Sequence, residues 1–111
     1  MIQTQELELT DAFVELIRRA ATVLPPDMEQ ALQKARDREE PGSAAESAFD
    51  TILRNVEMAR ANSTPICQDT GTPIFEVYYP LGISTRLLEK QIRAAAAIAT
   101  QRAYLRPNAV D

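Results

Sequence analysis

IFEVYY, residues 74–79, is the stretch on which the fold class turns. Ile and Val are β-branched, and Phe and both Tyr are aromatic. That composition suits a half-buried pleated surface, so the hexapeptide reads as a strand. A lone strand leaves its backbone donors and acceptors without partners and needs others beside it. The sequence on either side is helical. The expectation is therefore an α+β fold, mostly helical, with a small sheet that includes the strand running from Ile74 to Tyr79.

Upstream, Leu9, Phe13, Leu16, Ile17, Ala20 and Leu24 recur at helical spacing behind Thr10, which reads as an N-cap, with Leu9 and Val14 spaced as a hydrophobic staple. They predict a helix over 10–24. Pro25 and Pro26 end it and open a second helix over 27–39, whose apolar face is Met28, Ala31, Leu32 and Ala35. After Glu40-Pro41-Gly42 breaks the chain, Ser43 and Glu46 have the spacing of a capping box. A third helix over 43–61 follows, with Ala45, Ala48, Phe49, Ile52, Leu53, Val56 and Ala59 on one face. Downstream, Pro80-Leu81-Gly82 turns the chain into a helix over 85–105 faced by Leu87, Leu88, Ile92, Ala95, Ala96, Ala99 and Ala103. Its alanine run, 94–97, is smooth enough for another element to approach closely.

Composition narrows the function. A chain of 111 residues has room for a single domain or a piece of one. Sixteen acidic residues against twelve basic ones give a net charge of −4, and the basic residues are scattered along the helices. Nucleic acid and anionic membrane are therefore not expected as partners. No apolar run approaches the roughly 20 residues that cross a bilayer, and the acidic amino terminus is unlike a signal peptide. The single cysteine cannot form an internal disulfide, which fits a reducing compartment, so the expected location is cytoplasmic.

That cysteine, Cys67, stands in PICQDTGTPIF, residues 65–75, directly followed by an amide, a carboxylate, a hydroxyl and a glycine. In a Gly/Pro/Thr loop, backbone amides can point at a ligand and a thiolate can reach a metal. The plainer reading makes Cys67 a small buried apolar residue and Asp69-Thr70-Gly71 an ordinary turn closed by side-chain to backbone hydrogen bonds. Asp-Thr-Gly also marks the catalytic turn of aspartic proteases. Those enzymes are almost wholly β, whereas this triplet follows Cys-Gln and is surrounded by helical sequence, which argues against that reading.

ICQDTGTPIF as a whole resembles the cluster-binding loop of iron–sulfur hydro-lyases, the class I fumarases and, in two-subunit form, the alpha subunit of fumarate hydratase or L(+)-tartrate dehydratase. The resemblance extends from about Ser43 through RANSTPI, the loop and the long helix to LRPNAVD at 105–111. It implies that the chain is the amino-terminal part of such an enzyme's catalytic domain. Cys67 matches the first of three cysteines that hold a four-iron, four-sulfur (4Fe-4S) cluster with one open iron. Gln68 and Asp69 match residues of the substrate pocket, Asp69 also acting catalytically through the substrate hydroxyl or as a proton relay. Arg106 matches an arginine that clasps a substrate carboxylate, although on its own it reads as an arginine favourably placed near a helix carboxyl end. Thr70, Gly71 and Thr72 are expected to shape the loop. The implied reaction is reversible hydration of a small dicarboxylate, fumarate to malate or the dehydration of tartrate. One thiolate cannot hold the cluster, so the implied partners are the remainder of the enzyme or a beta subunit, and self-association as a homo-oligomer is expected to cover exposed apolar surface. The competing reading is a noncatalytic helical module whose apolar faces bind another protein.

Overall fold

The computed structural model describes residues 8–107. Four helices make up its regular structure: α1 (Thr10–Thr22), α2 (Pro26–Asp37), α3 (Ala44–Asn62) and α4 (Thr85–Gln101). Among the described residues there is no strand and no sheet, so the α+β expectation is overturned and the fold is all-helical. Residues 74–79 do keep strand-like alternation: Phe75 and Val77 turn inward onto the α1–α4 core, whereas Ile74 is 91% and Tyr78 86% exposed. Among the described residues they have no neighbour to pair with. β-branched and aromatic composition encodes an extended, half-buried surface, but a sheet also requires a second strand within hydrogen-bonding reach.

The helix ends follow from local chemistry. Ser84 Oγ accepts from the Leu87 amide and Ser43 Oγ accepts from the Glu46 amide, each at 3.1 Å, satisfying donors that α4 and α3 leave open at their starts. The reciprocal half of the capping box lands one residue early, because Glu46 Oε1 receives the Gly42 amide at 3.0 Å. Thr10 does not cap α1. It lies inside the helix, Leu9 is the cap, and the Glu8 carboxylate receives the Thr10 amide at 3.0 Å.

The core sits between α1 and α4. Phe13, Val14 and Ile17 meet Leu88, Ala95, Ala99 and Leu105, with Ala95 and Ala99 fully buried. The smooth alanine face thus admits α1, through Ala95 and Ala99 of the row. Gln91, also buried, accepts the Leu9 amide at 3.2 Å through its Oε1, fastening the start of α1 to α4. α2 pairs with α3 but buries none of its own residues. Polar contacts cross this pair, Arg60 to Glu29 at 2.6 Å and Arg36 to Asp50 at 3.4 Å, and Leu32 and Ala35 of α2 are half-buried. The molecule is elongated, 68 × 26 × 22 Å. No described helix is long and apolar enough to cross a membrane.

Candidate functional site

The loop that follows α3 is built from its anchors. α3 ends with Ser63 in the left-handed region, φ 52°, where the Thr64 amide bonds back to the Ala59 carbonyl at 3.1 Å. Arg18 Nη1 donates to Ser63 Oγ at 3.3 Å, linking this turn to α1. Ile66 is then held twice: its amide donates to the Ala21 carbonyl at 3.0 Å, and its carbonyl accepts from Asn55 Nδ2 at 2.8 Å. Cys67 follows at once. Its thiol is free and exposed, so the reading of Cys67 as a buried apolar residue does not describe it.

Beyond Cys67 the chain makes the turn its residues suggest. Asp69 Oδ1 accepts from the Gly71 amide at 3.0 Å, and Gly71 takes φ +70° with open space around it, so glycine is needed here for backbone angle and not for room. Thr70 Oγ1 accepts from the Arg106 amide at 3.2 Å and ties the loop to the segment after α4. Farther on, Phe75 meets Phe13 edge-to-face with ring centroids 6.1 Å apart.

Arg106 arrives from the other side. α4 was expected to continue to residue 105 but stops at Gln101, because Ala103 adopts φ 64° and the Tyr104 amide returns to the Ala99 carbonyl at 2.9 Å. This is a Schellman closure with alanine where glycine is usual. It turns Leu105 back into the core, 7% exposed, and delivers Arg106 beside the loop.

The outcome is an open groove of about 470 Å³ lined by Gln68, Asp69, Arg106 and Pro107. Three of the four residues singled out from sequence thus line one groove. Cys67 is next to them in the chain, on the exposed loop, but does not line the groove. Asn108 and the rest of LRPNAVD after Pro107 lie outside the described residues. The arrangement places a cation, a carboxylate and an amide around a space open to water, a set able to receive a small molecule that carries both carboxylate and hydroxyl groups.

Sequence reasoning missed two residues. Asn55 clamps Ile66 from an exposed face of α3, where nothing in the helical pattern sets it apart. Thr70 was expected to shape its own loop, and its bond to residue 106 spans 36 positions of chain, beyond the reach of turn chemistry.

The donor set bears directly on an iron–sulfur cluster. An exposed thiol on a loop anchored on both sides suits one ligand position. The chain holds no second cysteine and no histidine, and among the described residues no three Cys, His, Asp or Glu side chains gather as a metal site. These residues can supply one ligand of such a cluster, and the others must come from polypeptide outside this sequence.

Comparison with known proteins supplies the context. The model of the fumarate hydratase (Fumerase) family matches residues 10–111. A Geobacillus stearothermophilus protein named for fumarate hydratase class I is 41% identical over 104 residues, covering 94% of this chain and 20% of the relative. A Methanocaldococcus jannaschii protein named for L(+)-tartrate dehydratase subunit alpha is 33% identical over 107 residues, covering 94% and 37%. The L(+)-tartrate dehydratase subunit alpha of Escherichia coli K12 is 28% identical over 109 residues, covering 94% and 34%. The chain therefore spans between a fifth and somewhat over a third of the length of these relatives. With nearly its whole length matched by the family model, this chain belongs to the fumarate hydratase (Fumerase) family.

Proposed function

We propose that the chain supplies one wall of the active site of a hydro-lyase that reversibly hydrates a small dicarboxylate, fumarate to malate first and tartrate dehydration second. The observation that carries this reading is the meeting of Gln68, Asp69 and Arg106 at one groove. Arg106 offers a planar fork of donors to a substrate carboxylate, and Gln68 can donate its amide N–H groups to a carboxylate oxygen. Asp69 has Oδ1 engaged by the Gly71 amide, which aims the side chain, while Oδ2 has no hydrogen-bond partner among the described residues. Two carboxylates repel, so Asp69 faces the hydroxyl end of the substrate, accepting from it or holding a proton at Oδ2. A four-iron, four-sulfur cluster, with Cys67 as one of its thiolate ligands and the remaining ligands from the rest of the enzyme or a beta subunit, supplies Lewis-acid polarisation of the departing hydroxyl when bound. The chain's contribution is to hold the diacid by its ends and orient its hydroxyl.

The test is steady-state hydration by the complete enzyme, prepared without oxygen. Arg106→Gln removes a charged donor pair, for which about 1.5–3 kcal/mol corresponds to a KM raised about 10- to 150-fold. Asp69→Asn is expected to lower kcat more than it raises KM. A complete enzyme in which neither variant differs from the parent would overturn these roles. The exposed apolar side chains Leu16, Met28, Ile52 and Met58 favour a second reading, a module that binds another protein. That reading gains if Cys67→Ser leaves partner binding intact and no hydration is found.

A further inference from the structure

The groove depends on where Arg106 points, yet among the described residues no hydrogen bond or ion pair fixes its guanidinium. What the structure fixes is the backbone that brings Arg106 to the groove. Two features hold that backbone: Leu105, buried in the core, and Thr70, whose Oγ1 receives the Arg106 amide at 3.2 Å. Thr70 also lies inside the Asp69–Gly71 turn that aims the Asp69 carboxylate. One hydroxyl thus joins the two walls of the groove. Like Leu105, Thr70 also lines an apolar groove beside α1.

We infer that Thr70 is a positioning residue, which sets the register of Arg106 against Gln68 and Asp69 and so acts on carboxylate binding through Arg106. The inference rests on the hydro-lyase reading for its effect on turnover. Thr70→Val keeps the shape and the methyl group but puts a second methyl in place of the accepting hydroxyl; Thr70→Ser keeps the hydroxyl.

In the complete enzyme, Thr70→Val is expected to raise KM for the dicarboxylate about three- to tenfold, the span of one net hydrogen bond, while kcat falls less than twofold. Thr70→Ser is expected within about twofold of the parent. In an Arg106→Gln background Thr70→Val should add nothing, since the group through which it acts is gone. An unchanged KM in Thr70→Val, or the same loss with and without Arg106, would overturn the inference. Should the parent hydrate neither fumarate nor tartrate, the hydro-lyase reading falls by itself. Amide exchange at Arg106, followed by mass spectrometry, then decides for Thr70: faster exchange in Thr70→Val and parent-like exchange in Thr70→Ser support it, and equal exchange in all three refutes it.

Discussion

Leu105→Ala is the substitution through which fold and site can be probed together. The side chain is 7% exposed, lies against the α1–α4 core and stands one residue before Arg106. Shortening it to alanine removes three carbon groups from apolar surroundings, at about 0.8 kcal/mol each. A sealed void would add a further cost, but Leu105 also lines the groove of about 560 Å³ beside α1, which is open to solvent, so water can occupy the vacated space. The expected loss is therefore about 2–2.5 kcal/mol, at the lower end of the usual Leu→Ala range. For a chain of this size that lowers Tm by about 10–15 °C. Urea and thermal unfolding followed by far-UV circular dichroism measure it directly. Leu81→Ala, at a fully exposed position, is the control and should shift stability by less than about 0.5 kcal/mol. A loss below about 1 kcal/mol for Leu105→Ala would mean that the turn after α4 is not anchored by this side chain, and the geometry built on that anchor would fail.

Two other expectations follow from local geometry. Ala103 holds φ 64° at a position where glycine is favoured, so Ala103→Gly should raise stability by about 0.5–1 kcal/mol, read as a higher urea midpoint; a lower midpoint would contradict the strained turn. Arg18 and Arg19 donate to Glu15 and draw its carboxyl pKa down from 4.5 to about 2. A carboxylate whose folded pKa is depressed contributes stability that is complete above the unfolded value near 4.5 and is lost as pH falls toward 2. Glu15→Gln should therefore flatten the decline in urea midpoint across that interval. Because the ion pair is solvent-exposed, the difference should be small and should shrink further in high salt.

How much of this was legible in the sequence depended on the range of the forces involved. Ser43 and Ser84 advertise helix starts because capping acts over three residues, and Pro26 does the same through its fixed φ. Asp69 and Gly71 likewise declare their turn. The end of α4 was hidden, since an alanine at the left-handed position carries none of glycine's signal and the turn is imposed by the burial of Leu105. α2 shows an apolar face in sequence but leaves Met28 and Ala31 exposed and only half-buries Leu32 and Ala35, because periodicity reveals a face but not what covers it. Residues 74–79 misled for the same reason: their composition specifies an extended inner and outer face, while pairing is decided by other parts of a chain. The groove itself rests on the hydrogen bond between Thr70 and Arg106, 36 positions apart, which no local pattern encodes.

The exposed thiol at residue 67 is proposed as an iron ligand beside the groove. The most direct test is alkylation of Cys67 in the complete enzyme after anaerobic reconstitution with iron and sulfide, quantified by peptide mass spectrometry. Cys67 is expected to be shielded from iodoacetamide while the cluster is present and to become reactive once a chelator and oxidant remove it. Equal labelling before and after removal would contradict its role as a ligand.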